Sequence, residues 1–334
     1  MTGPRPASFP RLAAFGSNPE ADVRRAAATG SPRDRWLAAV ALGGQGRYAA
    51  AAGALGELVT APDPVLAALA CSTLAAHRRQ LGGHAAARRW DAAALGRLTT
   101  ARLPAGPDGD PAGDPDGVDL AGAWSDALLG LAADAIGLGR PHEAHRLHQR
   151  AQRHSGACWR SRVRAGWVAA EIELAAGHPE RAIAPSMVAA ELAWAGPSVR
   201  HRVKSDIVLG AVVAAVLAAA PATRPAQPAA GVSTVLTDGG HPTVSVECPD
   251  PAVLLDRALR TSLERGILTL AWPAAVIARD LHVQRRDEFS RIASDALTSV
   301  YTRSDDGLRR LALASPWVPA DLIRLVKPTR TGGG

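Results

Sequence analysis

One short break recurs along this chain and constrains it more than any other feature. It reads Gly46-Arg47-Tyr48, Gly83-His84-Ala85, Gly139-Arg140-Pro141 and Gly177-His178-Pro179. Glycine ends a helix readily because it adopts the left-handed conformation that other residues avoid, and proline opens the next helix. The stretch from Leu128 to Arg153, LLGLAADAIGLGRPHEAHRLHQRAQR, displays the device in full: a helical pattern, the break, and a second helical pattern. The first two breaks lie 37 residues apart and the last two 38; the 56 between Gly83 and Gly139 include an insertion of 16, Pro104 to Asp119. Without the insertion that gap is 40. A period this regular means repeated helical hairpins that bury their faces on one another.

Local signals agree with this. Asn18-Pro19-Glu20, Ser31-Pro32, Asp63-Pro64 and Asp250-Pro251 each place a capping side chain before a proline, so each predicts a helix start. The chain is rich in Ala and only 4% aromatic, which suits helices whose backbones approach closely. The net charge of +7 invites a nucleic-acid reading, but Lys204 and Lys327 are the only lysines among 38 basic residues. An Arg excess beside Ala, Gly and Pro is what GC-rich codons supply, so position matters more than number. Cys71, Cys158 and Cys248 are scattered and predict free thiols rather than a disulfide framework or zinc knuckle. No apolar leader opens the chain, and a cytoplasmic protein is expected. The longest apolar run, Ile207 to Ala220, is 14 residues and stops at Pro221, short of the roughly 20 a membrane span needs, so it predicts a buried helix.

The segment Trp36 to Leu58, WLAAVALGGQGRYAAAAGALGEL, resembles the tetratricopeptide repeat, a helix-turn-helix unit of about 34 residues. Gly46, Tyr48 and Ala51 occupy the turn and second-helix positions of that pattern, followed by Leu55 and Leu58. Further units run from Val65 to Leu98, through Gly139, Pro141, Ala144 and Ala151, and from Trp159 to Trp194 with Gly177, Pro179 and Ala182. Only the first carries the turn aromatic, and Arg88 stands where a small residue is usual. A HEAT-like or other hairpin array has similar spacing. The resemblance implies an all-α chain, a right-handed α-solenoid of tetratricopeptide-like hairpins over 18–220 with a C-terminal helical extension. Residues 1–17 are expected to be loose and 104–119 a mobile acidic loop. Residues 221–249 form a linker, or a small hairpin of Val232–Thr237 and Thr243–Cys248. Helices resume over 250–328, to extend or cap the array, and 329–334 form a frayed tail.

Chemistry concentrates in two places. The first is the basic stretch from Arg140 to Arg164. Arg146, Arg150 and Arg153 share a helix face, and Arg160, Arg162, Arg164 and Trp167 follow on the next helix. Guanidinium forks in that density pair with carboxylates or phosphates, although a solvated face looks the same in sequence. The resemblance implies a groove lined by the first helix of each hairpin, which favours Arg160, Arg162, Arg164 and Trp167 and leaves the other three free to face outward. The acidic insertion carries five Asp and no base, and is expected to cover this Arg face. The second place is Ala275 to Leu297, which is similar to a helix-turn-helix: Arg285, Arg286 and Arg291 would reach nucleic acid, against Asp287 and Glu288. His142, His145 and His148 are three apart, a spacing that does not converge on a metal. No phosphate loop, nucleophile elbow, zinc-protease or dinucleotide motif is present, and no carboxylate pair stands out in an apolar setting. The expectation is therefore a non-catalytic scaffold or adaptor without metal or cofactor, binding a protein or acidic peptide. The alternatives are a nucleic-acid-associated regulator and a sensor of a small anion.

Overall fold

The computed structural model describes residues 8–99, 114–154, 156, 158–220, 232–235 and 245–325. Among them the architecture is helical, with one pair of short strands. The helices are α1 (Phe9–Phe15), α2 (Arg24–Thr29), α3 (Pro32–Gly44), α4 (Tyr48–Gly56), α5 (Pro64–Gln80), α6 (His84–Thr99), α7 (Leu120–Gly137) and α8 (Pro141–Gln152). Then come α9 (Trp159–Ala175), α10 (Pro179–Ala195), α11 (Val199–Ala219), α12 (Pro251–Glu264), α13 (Leu268–Leu281), α14 (Arg286–Thr302) and α15 (Asp306–Ala314). From α3 to α14, nearly every helix packs against the one before and the one after it. No helix among the described residues is long and apolar enough to cross a membrane.

Three of the four expected cap-and-proline starts hold. Ser31 Oγ accepts from the Asp34 amide, the Asp63 carboxylate from Val65 and Leu66, and the Asp250 carboxylate from Ala252. Asn18 does not open a helix. The chain turns there because the Gln45 side-chain amide donates to the carbonyls of Pro19 and Ala21, both at 2.9 Å, and α2 begins only at Arg24. The glycines at the hairpin turns have positive φ at Gly46 (74°), Gly139 (72°) and Gly177 (80°); in the second hairpin the left-handed residue is Gly82, not Gly83. Val232–Val235 (β1) pairs antiparallel with Ser245–Cys248 (β2), Val232 opposite Cys248, and residues 236–244 lie outside the described residues.

Two further expectations need correcting. Residues 8–17 are not loose: Phe15 is buried against Trp36 and His201, and the Gly16 carbonyl accepts from the Val199 amide at 3.1 Å. The end of the acidic insertion is held too. Asp116 is buried and ion-paired with Arg11, Asp114 pairs with Arg33, and Asp119 caps α7 through the Gly122 amide at 2.7 Å. The rest of that insertion, 104–113, lies outside the described residues, as do 326–334; within 250–328, where helices are expected, Ala320–Leu322 form only a short turn.

The C-terminal helices continue the neighbour-to-neighbour packing from α11 through α14, and they also reach back to the first hairpins. Tyr48 and Leu81 belong to the same buried cluster as Leu255, Leu270, Phe289 and Leu297. The Arg303 carbonyl accepts from the Ala49 amide at 3.0 Å, Thr269 Oγ1 donates to the Gly44 carbonyl at 3.1 Å, and the Trp317 indole donates to the Gly137 carbonyl at 3.3 Å. Bare turns make this docking feasible. A Cβ at Gly46 would lie 2.7 Å from the Val300 side chain, and one at Gly82 would overlap Ser315. This packing leaves a partly enclosed space between the helices.

Candidate functional site: a cationic central cavity

The space is a cavity of about 690 Å³. Its wall comes from α1, α3, α5, α7, α9, α11 and α13, joined by Gly82, His84 and Trp317; α4, α8, α10, α12 and α14 contribute nothing to it. Alternate helices therefore face inward, and spacing decides which side chains they present. On α9, Arg160, Arg164, Val168, Glu171 and Ala175 recur every three or four residues and share one face; on α11, Arg200, Lys204, Ile207, Val208 and Ala211 do the same.

The apolar part of the wall is fixed by hydrogen-bonded aromatics. The Trp36 indole donates to Thr73 Oγ1 at 3.0 Å and the Trp167 indole to Ser205 Oγ at 2.8 Å. His201 lies against Trp167 (ring centroids 5.3 Å apart, stacked) and edge-on to Trp159 at 4.9 Å, with Nδ1 2.9 Å from Ser198 Oγ. Burial, and the charges of Arg200, Arg160 and Arg164 around it, hold His201 well below the ordinary histidine range, so it is neutral. His77 is pushed down to about 3 by burial beneath Tyr48 and by Arg200. It packs so closely on Gly43 that an added Cβ would meet Nε2 at 2.2 Å.

Five cations line the wall: Arg79, Arg160, Arg164, Arg200 and Lys204. Arg79 donates to Asp134 at 2.8 Å and pairs with Asp91; both carboxylates are fully buried. Burial opposes the charge on Arg79, but the two acids outweigh it and raise its pKa. Asp91 itself is raised well above the carboxylate range, by burial against the pull of Arg79 and with Asp134 beside it. Arg160 donates to both oxygens of Asp126, at 3.1 and 2.8 Å, and to the backbone carbonyls of Asp116 and Gly117 at 2.6 and 3.3 Å. Arg164 reaches the same Asp126 at 3.0 Å. Lys204 is 3.5 Å from Glu171, and its ammonium sits 4.7 Å over the Trp167 ring. Arg200 has no acid within 4 Å among the described residues; its stem runs along α3 beside Gly44. Burial lowers the pKa of Arg164, Arg200 and Lys204, and mutual repulsion adds to it.

Arg164 and Arg200 are the least compensated of the five. Asp126 is shared by two guanidiniums, Glu171 serves Lys204, and the Asp91–Asp134 pair serves Arg79. Five cations face four carboxylates, so the wall carries a net positive charge of one beside Trp36 and Trp167, and its chemistry suits an anion with an apolar body.

The structure thus divides the residues named from sequence. Arg160, Arg164 and Trp167 come together on the cavity wall. Arg162 does not join them: it is exposed on the opposite side of α9. Arg146, Arg150 and Arg153 are exposed on or just after α8, whose inward side is Ala144, His148 and Ala151. The acidic insertion meets Arg160 through backbone carbonyls and does not reach the α8 stripe with Asp114 or Asp116. In the helix-turn-helix-like segment, Arg285 is engaged by Glu288 at 2.9 Å and Asp256 at 3.6 Å, while Arg286 and Arg291 are exposed. Among the described residues no cluster of histidine, cysteine and carboxylate side chains could hold a metal, and His148 is bound to the Ala165 carbonyl at 3.0 Å.

Sequence reading passed over Arg79, Arg200, Lys204 and the buried carboxylates, including the Asp91–Asp134 pair in its apolar surroundings. The available signal was Asp126 and Asp134 within the apolar helix LAGAWSDALLGLAADAIG, where carboxylates persist only with cationic partners. Searches against family models, curated proteins and solved structures find no match for this chain.

Proposed function

We propose that this chain is a non-catalytic binding module, a tetratricopeptide-like scaffold or adaptor that takes a short acidic segment of a protein or peptide into its central cavity. The observation that carries the reading is the excess of cations on the wall: Arg164 shares Asp126 with Arg160, and Arg200 has no acid within 4 Å among the described residues. Guanidinium groups lining a partly enclosed space bind carboxylates more strongly than exposed ones do, because their charge is partly desolvated. Size selects the occupant. An α-helix is roughly 10–12 Å across, so a cavity of about 690 Å³ would hold little more than one turn. An extended segment of a few residues fits better. A right-handed superhelix of tetratricopeptide units is the finer form of the same reading, supported by the hairpin turns at Gly46, Gly82, Gly139 and Gly177.

The test is native co-purification from the host, with and without nuclease, using wild type, R164Q/R200Q and R146Q/R150Q/R153Q. The expected result is a stoichiometric protein partner that survives nuclease, is lost from R164Q/R200Q and is kept by the outer variant. Recovery of nucleic acid, with partners released by nuclease, would replace this reading by the regulator alternative.

A further inference from the structure

The cavity wall says more about its ligand than that it is acidic. We infer that the cavity is a built site for an amphipathic oxyanion: one carboxylate or phosphate group held between Arg164 and Arg200, on an apolar body packed against Trp36, Ile207 and Leu270. The inference rests on the cavity reading above but not on the ligand being part of a protein.

Three observations carry it. First, the cations are held in place and not merely present. Arg164 is anchored by Asp126 at 3.0 Å, and the Arg200 stem passes beside Gly44 at the end of α3. Both line the cavity, and guanidinium forks match two-oxygen acceptors. Second, the rest of the wall is unsuited to a strongly hydrated polyanion. Leu129, Ile136, Ile207 and Leu270 line it, and a ligand that is charged throughout would strand its remaining charges against apolar surface. Third, the volume of about 690 Å³ falls within the roughly 300–1,000 Å³ of sites that enclose small organic ligands. A charged head with an apolar body satisfies all three. A free small molecule and the acidic-apolar end of a peptide share that chemistry.

The experiment uses the full chain and follows displacement of the fluorescent aromatic anion anilinonaphthalene sulfonate. Competitors are decanoate, decyl phosphate, decanol, and an acetylated peptide of alternating leucine and glutamate. The anions are expected to displace the dye at least about tenfold more strongly than decanol, the difference one charge-assisted contact supplies. R200Q should weaken decanoate by about tenfold or more, at unchanged dye stoichiometry and with thermal unfolding like wild type. Ala211→Trp, which fills the apolar part of the cavity, should abolish displacement by every competitor and serves if R200Q fails to fold. Decanol matching decanoate, R200Q binding as wild type does, or no dye bound would each overturn the inference. Decanoate and the peptide separate the two sources: the stronger competitor names which one the site is built for. A partner lost from R164Q/R200Q while decanoate fails would leave the proposed function standing and remove this inference. Decanoate binding without any partner would do the reverse.

Discussion

Arg160 and Asp126 form a two-pronged pair, at 3.1 and 2.8 Å, with both side chains almost completely buried. Arg200, on the same wall, has no such partner. The two arginines therefore make opposite predictions for stability. Removing one member of a buried pair leaves an uncompensated charge and costs about 3–5 kcal/mol. Asp126→Asn strips Arg160 and Arg164 of their shared acid and should lower the free energy of urea unfolding by an amount in that range. Arg160→Met leaves Asp126 with Arg164 and should cost toward the lower end. Arg200→Met removes a charge that repels its neighbours, so it should cost less than about 1 kcal/mol or stabilise. Equal losses for Arg160→Met and Arg200→Met would mean that Arg200 is structural.

Acid should unfold this protein earlier than carboxylate titration alone would predict. Burial lowers the pKa of His77 to about 3 and that of His201, His84 and His148 in the same direction. The unfolded chain takes up protons near 6.5 while the folded chain refuses them. Stability is therefore complete above 6.5 and falls as the pH drops, until His77 itself protonates near 3. Each such histidine contributes about 1.4 kcal/mol per pH unit. Asp91 acts in the opposite sense, since its raised pKa gives stability that is lost as pH rises through it. Urea midpoints between about pH 7.5 and pH 5 should decline, and His77→Phe should flatten the slope by about one proton. An unchanged slope in that variant would show that His77 titrates normally.

The turn glycines separate backbone strain from packing. Gly177 has φ 80° and open space around it, whereas Gly46 has φ 74° and faces Val300. Gly177→Ala should cost only the left-handed backbone penalty, about 1–2 kcal/mol. Gly46→Ala must in addition push Val300 away and loosen α14 from the first hairpin, a further loss of about 1–3 kcal/mol. Hydrogen exchange in α14 should quicken in the Gly46 variant alone. The same rate in both would mean that the C-terminal fold-back does not depend on that turn.

Much of the array was legible because its signals are local. Proline after Ser31, Asp63 and Asp250, and glycine at 46, 139 and 177, act through the residues next to them. What escaped was the reach of the C-terminal helices back to the first hairpins. Val300 meeting Gly46, or Trp317 meeting the Gly137 carbonyl 180 residues away, leaves no periodic mark in sequence. The site was half legible for the same reason. Arg160 and Arg164 stand in a visible cluster, but Arg79, Arg200 and Lys204 join them only when alternate helices turn inward. Arg162 was misplaced because adjacent arginines on a helix point about 100° apart per residue, so a cluster in sequence divides between faces. Phe15 was missed because a short terminal helix has too few turns for periodicity to register; it is ordered by burial against Trp36 and His201.

The division of arginines into inner and outer sets is itself testable. Arg146, Arg150 and Arg153 are exposed on a helix that takes no part in the wall, with no acid within 4 Å among the described residues. Exposed cations attract polyanions weakly and without shape selection, and salt screens them. R146Q/R150Q/R153Q should therefore elute earlier from a heparin column while keeping wild-type stability and dye displacement. R164Q/R200Q should show the reverse, with nearly unchanged heparin elution and lost displacement. If a nucleic acid is bound in this way, its affinity should fall with salt, and each outer arginine removed should reduce the logarithmic slope by about 0.9. A cavity ligand should respond less, because salt screens a partly buried ion pair less than an exposed one. Dye displacement lost in the outer triple variant would place the anion site on α8 and overturn the assignment of the cavity.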